Sequence, residues 1–177
     1  MQLETKRLIL REYTTADFDA LYAILSDPET MAHYPKPYDA AGVRRWIAWN
    51  EDNYKRYGFG LWAVTLKGTG QFLGDCGITM QNIDGVQLPE LGYHIHKAHW
   101  RKGYAKEAAQ VVRDWFFEHT AFDALYSYTK STNLASIATA ASVGMGKEKE
   151  YVDQTGESTY VSVLTRAEWC KCPASSK

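Results

Sequence analysis

The sequence is poor in cysteine, in net charge and in long apolar runs, and each shortage excludes a class of protein. Three cysteines among 177 residues do not form a disulfide framework, and an odd count without a recognisable secretory leader is typical of the reducing cytoplasm. Cys170 and Cys172 lack a second pair of ligands nearby, which favours free thiols over a metal site.

The partners are limited in the same way. A formal net charge of −1 argues against nucleic-acid binding by bulk electrostatics. No apolar run approaches the roughly 18 residues of a membrane span. The segment MQLETKRLIL lacks the apolar core and small-residue cleavage site of a signal peptide. We therefore expect a cytoplasmic protein without a nucleic-acid or membrane partner.

Repeats and Pro/Gly/Ser-rich linkers are also missing, so the length predicts one domain over residues 1–170 and a short flexible tail over 171–177. Hydrophobic periodicity predicts the element order β-α-α-β-β-β-α-β-α-β-β, with STYVSVLTRAEW as the last strand. This is an α/β (α+β) fold with a mixed, mostly antiparallel central sheet flanked by helices. The one strand–helix–strand unit is where a parallel pair is expected, and it offers a cleft beside the strand ends.

Capping residues and apolar spacing set the expectations for the helices. Thr15 and Asp39 are predicted to cap the first two helices. The third helix is predicted from Tyr104 to about His119, with Arg113 on its polar face. The fourth follows Asn133 as its cap. Its inward positions are expected to be Leu134, Ile137, Ala138 and Ala141.

The stretch HWRKGYAKEA (99–108) places three cations around the start of the third helix. A helix N-terminus carries partial positive charge and unpaired N–H groups, so it attracts anions and repels cations. Gly103 also lets a ligand approach the main chain closely. The stretch therefore predicts a phosphate or pyrophosphate site, with a solvated basic turn as the alternative. Neither a G-x-x-x-x-G-K-[ST] nor a G-x-G-x-x-G pattern occurs.

The same stretch, between ELGYHIHK and STNLASIATAASVGM, resembles motif A of the GNAT N-acetyltransferase superfamily, [QR]-x-x-G-x-[GA]. Here the motif reads WRKGYA, with Trp100 in place of Gln or Arg. The N-terminal TKRLILREYTTADFDALYAILSDPETM is similar to the branch that contains ribosomal-protein N-terminal acetyltransferases. The resemblance spans nearly the whole chain. It implies the GNAT fold and direct transfer of acetyl from acetyl-CoA to a primary amine, on a protein N-terminus or a small molecule, in a ternary complex.

The resemblance also implies which residues meet the co-substrate. Backbone N–H groups of the turn WRKGYA would hold the pyrophosphate. The main chain of the preceding strand, ELGYHIHK, would pair with the pantetheine arm. A family asparagine would contact the same molecule. The implied residues are Tyr93, His94, Ile95, Arg101, Lys102, Gly103, Tyr104, Ala105 and Asn133.

Acetyl transfer to an amine needs an acid and a base. Many relatives carry a tyrosine acid seven residues after the asparagine, where this chain has Ala140. Ser136 matches the serine assigned this role in the ribosomal-protein branch, the alternative being a first-turn residue that bonds the backbone. Glu90 matches a carboxylate that relays the amine proton, the alternative being a solvated strand-end charge. Tyr93 and His94 are lesser candidates for the base.

Other readings stay open. No metal is expected, because no carboxylate or cysteine completes a set with His94, His96 and His99. MAHYPKPY (31–38) and the helix with Trp46 and Trp49 lie where relatives line the acceptor pocket, and the lack of an acidic run disfavours polyamines. A non-catalytic acyl-CoA sensor or interaction module is the main alternative, and a nucleotide-binding domain is a weaker one. The sequence leaves open the acceptor and whether the chain forms a homodimer.

Overall fold

A computed structural model describes residues 1–153 and 155–171 of the chain. Residues 172–177, which hold most of the predicted tail and Cys172, lie outside the described residues. In the described part, no helix has both the length and the apolar character needed to cross a membrane.

Helices flank one eight-stranded, mostly antiparallel sheet, which confirms the predicted fold class. The strands follow the spatial order β1-β2-β3-β4-β5-β6-β8-β7. They are β1 Gln2–Glu4, β2 Leu8–Arg11, β3 Leu61–Leu66, β4 Phe72–Ile83, β5 Val86–Ile95, β6 Ala124–Lys130, β7 Gly146–Val152 and β8 Ser158–Thr165. The helices are α1 Phe18–Leu25, α2 Ala40–Tyr57, α3 Tyr104–His119, α4 Leu134–Ser142 and α5 Arg166–Trp169. Short 3-10 turns occupy Thr15–Asp17 and Lys97–His99.

One parallel contact interrupts the antiparallel sheet, between β5 and β6. Their pairing in the described chain is confined to Glu90 and Tyr126, whereas β4 and β5 pair along ten residue positions. Beyond Glu90 the two strands separate, and their main-chain N–H and C=O groups no longer pair with each other. The predicted cleft at the parallel seam is thereby confirmed.

The first two helices start at polar caps, one of them shifted from its predicted position. The Asp39 carboxylate accepts a hydrogen bond from the Gly42 N–H at 2.6 Å, as predicted. The prediction of Thr15 as the first cap is wrong by one residue, because the first turn is a 3-10 turn capped by Thr14. Asp17 accepts from the Thr14 N–H at 2.7 Å and is held by the Arg11 guanidinium, which fixes this start.

The buried faces of α3 and α4 differ partly from expectation. Arg113, predicted on the polar face, is buried because its guanidinium donates to the Val143 carbonyl at 2.7 Å. In α4, Leu134 is 72% exposed, while Ala140 is buried. This helix is short and rich in alanine, so its apolar pattern offers little contrast between faces. The inward prediction is wrong for Leu134, Ala138 and Ala141.

The last predicted strand is too long. It ends at Thr165, where a capping box starts α5: the Glu168 carboxylate accepts from the Thr165 N–H at 2.9 Å. The side chain of Trp169 then packs on Phe117 of α3, with ring centroids 5.3 Å apart.

Candidate active site

A cavity of about 1120 Å³ runs through the open seam from one face of the sheet to the other. The turn before α3 and the start of α4 line it on one face, and the 29–38 loop and α2 line it on the other. Strands β5 and β6 form its waist. The cavity therefore joins the predicted anion site to the predicted acceptor region.

The turn before α3 has the backbone of an anion site. Arg101 adopts a left-handed conformation with φ of +60°, and Gly103 does so with φ of +79° immediately before the helix. The first N–H groups of α3 have no intrahelical acceptor and point out of the helix start. Among the predicted turn residues, Arg101, Gly103, Tyr104 and Ala105 line the cavity. The Lys102 side chain does not, because its ammonium donates to the Ala98 carbonyl at 3.0 Å.

Arg7, in the bend between β1 and β2, holds this turn in place. Its guanidinium donates to the Lys102 carbonyl at 2.9 Å and stacks 4.5 Å from the Tyr104 ring centroid. It also pairs with Glu107 at 2.6 Å. Burial alone would raise the pKa of Glu107, but hydrogen bonds from Thr5 and Arg7 lower it below the ordinary value. The carboxylate of Glu107, in the first turn of α3, is thus bound by Arg7. The two residues are 100 positions apart, so no local sequence pattern indicates this contact.

The main chain of β5 presents alternate residues to the seam. The N–H groups of His94 and His96 face β4, where they donate to the Asp75 carboxylate and the β4 backbone. Main-chain direction alternates along a strand, so Tyr93 and Ile95 direct theirs to the seam. The structure therefore allows the predicted main-chain contact at Tyr93 and Ile95. It does not place the N–H of His94 there.

On the α3 and α4 face, Tyr93 and Ser136 come together. The Tyr93 hydroxyl donates to the Ser136 carbonyl at 2.9 Å and lies 3.2 Å from the Ser136 Oγ. Burial raises the pKa of Tyr93 well above its ordinary range. Asn133 caps α4 by accepting from the Ser136 N–H at 3.2 Å, and its amide donates to Thr129. Two hydroxyl groups thus flank the seam where Ala140 supplies none.

On the opposite face, Glu90 is a buried carboxyl group rather than a solvated strand-end charge. It is 8% exposed, and the Thr79 hydroxyl lies 3.5 Å from its Oε2. Burial raises its pKa to about 8, since the charged form loses water. The alternative of a solvated charge is wrong for this residue. A carboxyl group with such a pKa suits proton transfer near neutral pH.

Beside Glu90 lies a chain of polar groups that the sequence did not indicate as a unit. The His94 Nδ1 is 2.7 Å from the Asp75 Oδ1, and the Tyr13 hydroxyl donates to the other Asp75 oxygen at 2.7 Å. The His94 Nε2 is 2.5 Å from the Tyr34 hydroxyl. The Trp46 ring meets the imidazole edge-on, with centroids 5.5 Å apart. Burial lowers the pKa of His94, but Asp75 and Glu90 together raise it, and the net pKa is above the ordinary value.

The three histidines His94, His96 and His99 do not converge on one point in the described structure. The imidazole of His94 is directed at Asp75, while the rings of His96 and His99 contact each other at 6.0 Å. Across residues 1–153 and 155–171, no group of three or more His, Cys, Asp or Glu side chains is arranged to hold a metal ion.

Known proteins share both the sequence pattern and the fold. The family model described as "Acetyltransferase (GNAT) domain" matches residues 7–146. The uncharacterized protein YkkB of Bacillus subtilis is 38% identical over 149 residues, which cover 84% of this chain and 87% of YkkB. An acetyltransferase structure from Agrobacterium tumefaciens is 29% identical with a TM-score of 0.81, and covers 93% of this chain and 94% of its own.

A solved ribosomal L7/L12 alpha-N-protein acetyltransferase in complex with coenzyme A shares the fold alone. It is 13% identical with a TM-score of 0.77, and covers 93% of this chain and 98% of its own. The family match over most of the chain and the 38% identical relative agree with the seam and the turn described above. The chain belongs to the GNAT acetyltransferase family and is an acetyl-transferring enzyme.

Proposed function

We propose that the protein moves the acetyl group of acetyl-CoA directly to a primary amine while both substrates are bound. One observation carries this proposal: a single cavity crosses the sheet, with an anion-binding helix start on one face and the buried carboxyl of Glu90 on the other. A thioester held in the seam would meet an amine from the opposite face. Neither a phosphate site nor a buried carboxyl alone would favour this chemistry.

The co-substrate half of the cavity fits a molecule with a pyrophosphate and an extended amide-containing arm. Backbone N–H groups from Arg101 to Ala105 would hold the pyrophosphate, and the left-handed Gly103 leaves its approach open. The main chain of Tyr93 and Ile95 would pair with the arm as a short added strand. Asn133 would act by fixing the start of α4. This half matches the coenzyme A named for the L7/L12 enzyme.

The reaction needs three proton or charge movements, and the cavity offers a group for each. Glu90 would accept a proton from the attacking amine. A seam N–H from β5 would stabilise the oxyanion of the tetrahedral intermediate. The hydroxyl of Ser136, supported by Tyr93 at 3.2 Å, would donate a hydrogen bond or proton to the departing thiolate.

The acceptor half favours a primary amine on an apolar or peptide-like body over a polycation. Aromatic rings of Tyr34, Tyr38, Trp46 and Trp49 line it. Its acidic rim residues are engaged: Glu29 pairs with Lys97 at 3.0 Å, and Glu157 pairs with Lys130 at 2.7 Å. A small-molecule amine and a protein N-terminus both fit this description.

The test is an acceptor panel read by two independent signals. Purified protein is incubated with acetyl-CoA and, separately, 2-phenylethylamine, spermidine, a tetrapeptide with a free N-terminus and the same tetrapeptide with its N-terminus acetylated. We expect thiol release with at least one free amine and a matching acetylated product by mass spectrometry, with none from the blocked peptide. Binding of acetyl-CoA without thiol release for any amine would instead support the non-catalytic sensor.

A further inference from the structure

We propose that His94, held by Asp75 and facing Tyr34, is a second proton acceptor for the amine, and that the amine nitrogen docks over Gly92, between His94 and Glu90. This inference rests on the proposed acetyl transfer and names residues that act on its acceptor. It assigns catalytic contact to His94 and Tyr34 and a positioning role to Asp75.

The spacing along β5 creates the docking position. Glu90, Gly92 and His94 alternate along the strand, so their side-chain positions share the face that carries α1 and α2. Glu90 and His94 are four residues apart, about 13 Å along the strand, with Gly92 midway between them. A methyl group at Gly92 would lie 3.1 Å from the Glu90 Oε2 and 3.6 Å from Leu61. Gly92 lines the cavity and the Glu90 carboxyl lies over it, so an amine that reaches the glycine meets that carboxyl.

The contacts of the imidazole set its direction. Asp75 is fully buried and accepts from the Tyr13 hydroxyl, so its carboxylate is fixed in place. It accepts from the His94 Nδ1–H at 2.7 Å, and that bond leaves Nε2 as the basic nitrogen. Nε2 meets the Tyr34 hydroxyl, which lines the acceptor half of the cavity. The basic nitrogen thus faces the substrate through one hydroxyl group.

The proton balance of the step is complete. The ammonium R–NH3⁺ passes one proton to the Tyr34 oxygen as the Tyr34 proton moves to Nε2 of His94. The amine is left neutral with its lone pair free, and the imidazolium is stabilised by Asp75. After attack the nitrogen is positively charged and loses a second proton, which balances the proton that the departing thiolate takes up on the opposite face, and His94 returns the first proton to solvent through the cavity.

Charged and titratable groups face His94 from several elements. Asp75 faces it from β4, Glu90 from β5 and Tyr34 from the 29–38 loop, while Tyr13 acts through Asp75. The carboxyl of Glu90 keeps its proton until the pH approaches about 8. Burial lowers the pKa of His94, but Asp75 and Glu90 raise it above the ordinary value, so His94 as well as Glu90 becomes a proton acceptor as the pH rises.

Rate measurements against pH separate the two acceptors. Using the panel amine that the wild-type protein acetylates fastest, we expect kcat/KM to rise in two steps. His94→Gln should lower kcat/KM by about tenfold or more and remove one of the two steps, whereas Glu90→Gln should remove the other, near pH 8. Asp75→Asn should move the step that His94→Gln removes to lower pH, because burial then acts on His94 without the charge of Asp75. His119→Gln, at the far end of α3, is the matched control and should leave both steps in place.

An NMR titration tests the pairing of His94 with Asp75 without any acceptor amine. The imidazole C–H signals of the five histidines are titrated by NMR, with His94 identified by its loss in His94→Gln. We expect its pKa above that of a free histidine in the wild type and below it in Asp75→Asn. An unshifted His94 signal, or a His94→Gln protein with the wild-type pH profile, overturns the role of His94 while leaving acetyl transfer intact. Absence of thiol release from the wild-type protein contradicts the proposed function itself and this role with it.

Discussion

At the scale of single residues, Glu90, Gly92 and His94 decide what the acceptor half can do. Two polar side chains flank a position without a side chain, and all three are on one strand at the mouth of the seam. Their effect depends on burial, because the same carboxyl group in water would be a base too weak for an amine. The chemistry follows from where the residues lie rather than from their types.

Gly92→Ala should close the docking position. Its backbone is not left-handed, so the fold tolerates alanine, but the added methyl group lies within 3.1 Å of the Glu90 carboxyl. We expect kcat/KM for the amine to fall by about tenfold or more. The dissociation constant of acetyl-CoA, measured by calorimetry, should not change. Gly146→Ala, at a site with open space, is the control and should retain full activity.

The raised pKa of Glu90 has a consequence for stability. The folded protein binds this proton more tightly than the unfolded chain, so its contribution is full below the ordinary pKa of 4.5 and is lost as pH rises through about 8. Glu90→Gln should remove that loss. The free energy of unfolding of the variant minus that of the wild type should rise between these values by up to about 1.4 kcal/mol per pH unit. Urea unfolding at several pH values measures it, and a flat difference would contradict the burial of a titrating carboxyl group.

Glu90, Ser136 and Asn133 could be named from the sequence because each has a fixed place in a family motif. Asp75 and Tyr34 could not, since they meet His94 across 19 and 60 residues of chain. Nothing in the local sequence around an aspartate in a strand tells whether a histidine faces it. The pairing of β4 with β5 is what brings them together.

At the scale of elements, the turn and the start of α3 form the proposed anion site. Gly103→Glu should abolish the stabilisation by acetyl-CoA, because a side chain and a negative charge would enter a left-handed position that faces the phosphates. The melting temperature with and without acetyl-CoA measures it. Gly85→Glu places the same strain at another left-handed glycine, on the β4–β5 hairpin, and should keep the shift. Equal shifts in both variants would exclude the turn as the binding site.

Arg7 joins the first strands to that turn. Arg7→Lys keeps the charge but loses the planar contacts with Lys102 and Tyr104, so the turn loses its support. We expect the affinity for acetyl-CoA to weaken by about fivefold to tenfold, with kcat at saturation unchanged. Arg11→Lys alters a similar guanidinium fork on Asp17, away from the turn, and should leave the affinity as in the wild type. A loss of kcat in Arg7→Lys without a change in affinity would contradict this role.

Helices with a clear start residue and a strong apolar stripe were predicted closely, and elements without these signals were not. The third helix was predicted over Tyr104 to His119, the bounds it has, because Gly103 and a strong apolar stripe mark it. In α4 the stripe is mostly alanine, and its inward face was misplaced. At the end of β8 the capping box at Thr165 competes with strand pattern, and the local hydrogen bonds prevail.

At the scale of the whole molecule, the gap between β5 and β6 joins the two halves of the cavity, one on each face of the sheet. The sheet is continuous except where β5 and β6 separate, so each face would bind one substrate and the gap would let the two substrates meet. The parallel contact lies at the strand–helix–strand unit formed by β5, α3 and β6, where the order of predicted elements placed it. The acceptor did not follow, because its pocket is built by loops and side chains from distant segments.

Binding of acetyl-CoA should stabilise the whole domain, because the turn, β5 and α4 are tied together by the ligand. At about 100 times the dissociation constant, the gain is about 2.7 kcal/mol. For a domain of this size it corresponds to a rise in melting temperature of about 5–11 °C. Differential scanning calorimetry across a range of acetyl-CoA concentrations measures it, with ATP as the competitor that tests the nucleotide-binding alternative.

The central claim is that one cavity brings a thioester and an amine together across the sheet. Its most direct measurement is a single-turnover reaction in which acetyl-CoA labelled in the acetyl group is mixed with excess protein and the amine panel, and both products are followed. We expect label to appear on an amine at the same rate as free coenzyme A thiol appears. Thiol release with the label found only as acetate, or no release from a protein that binds acetyl-CoA, would contradict it.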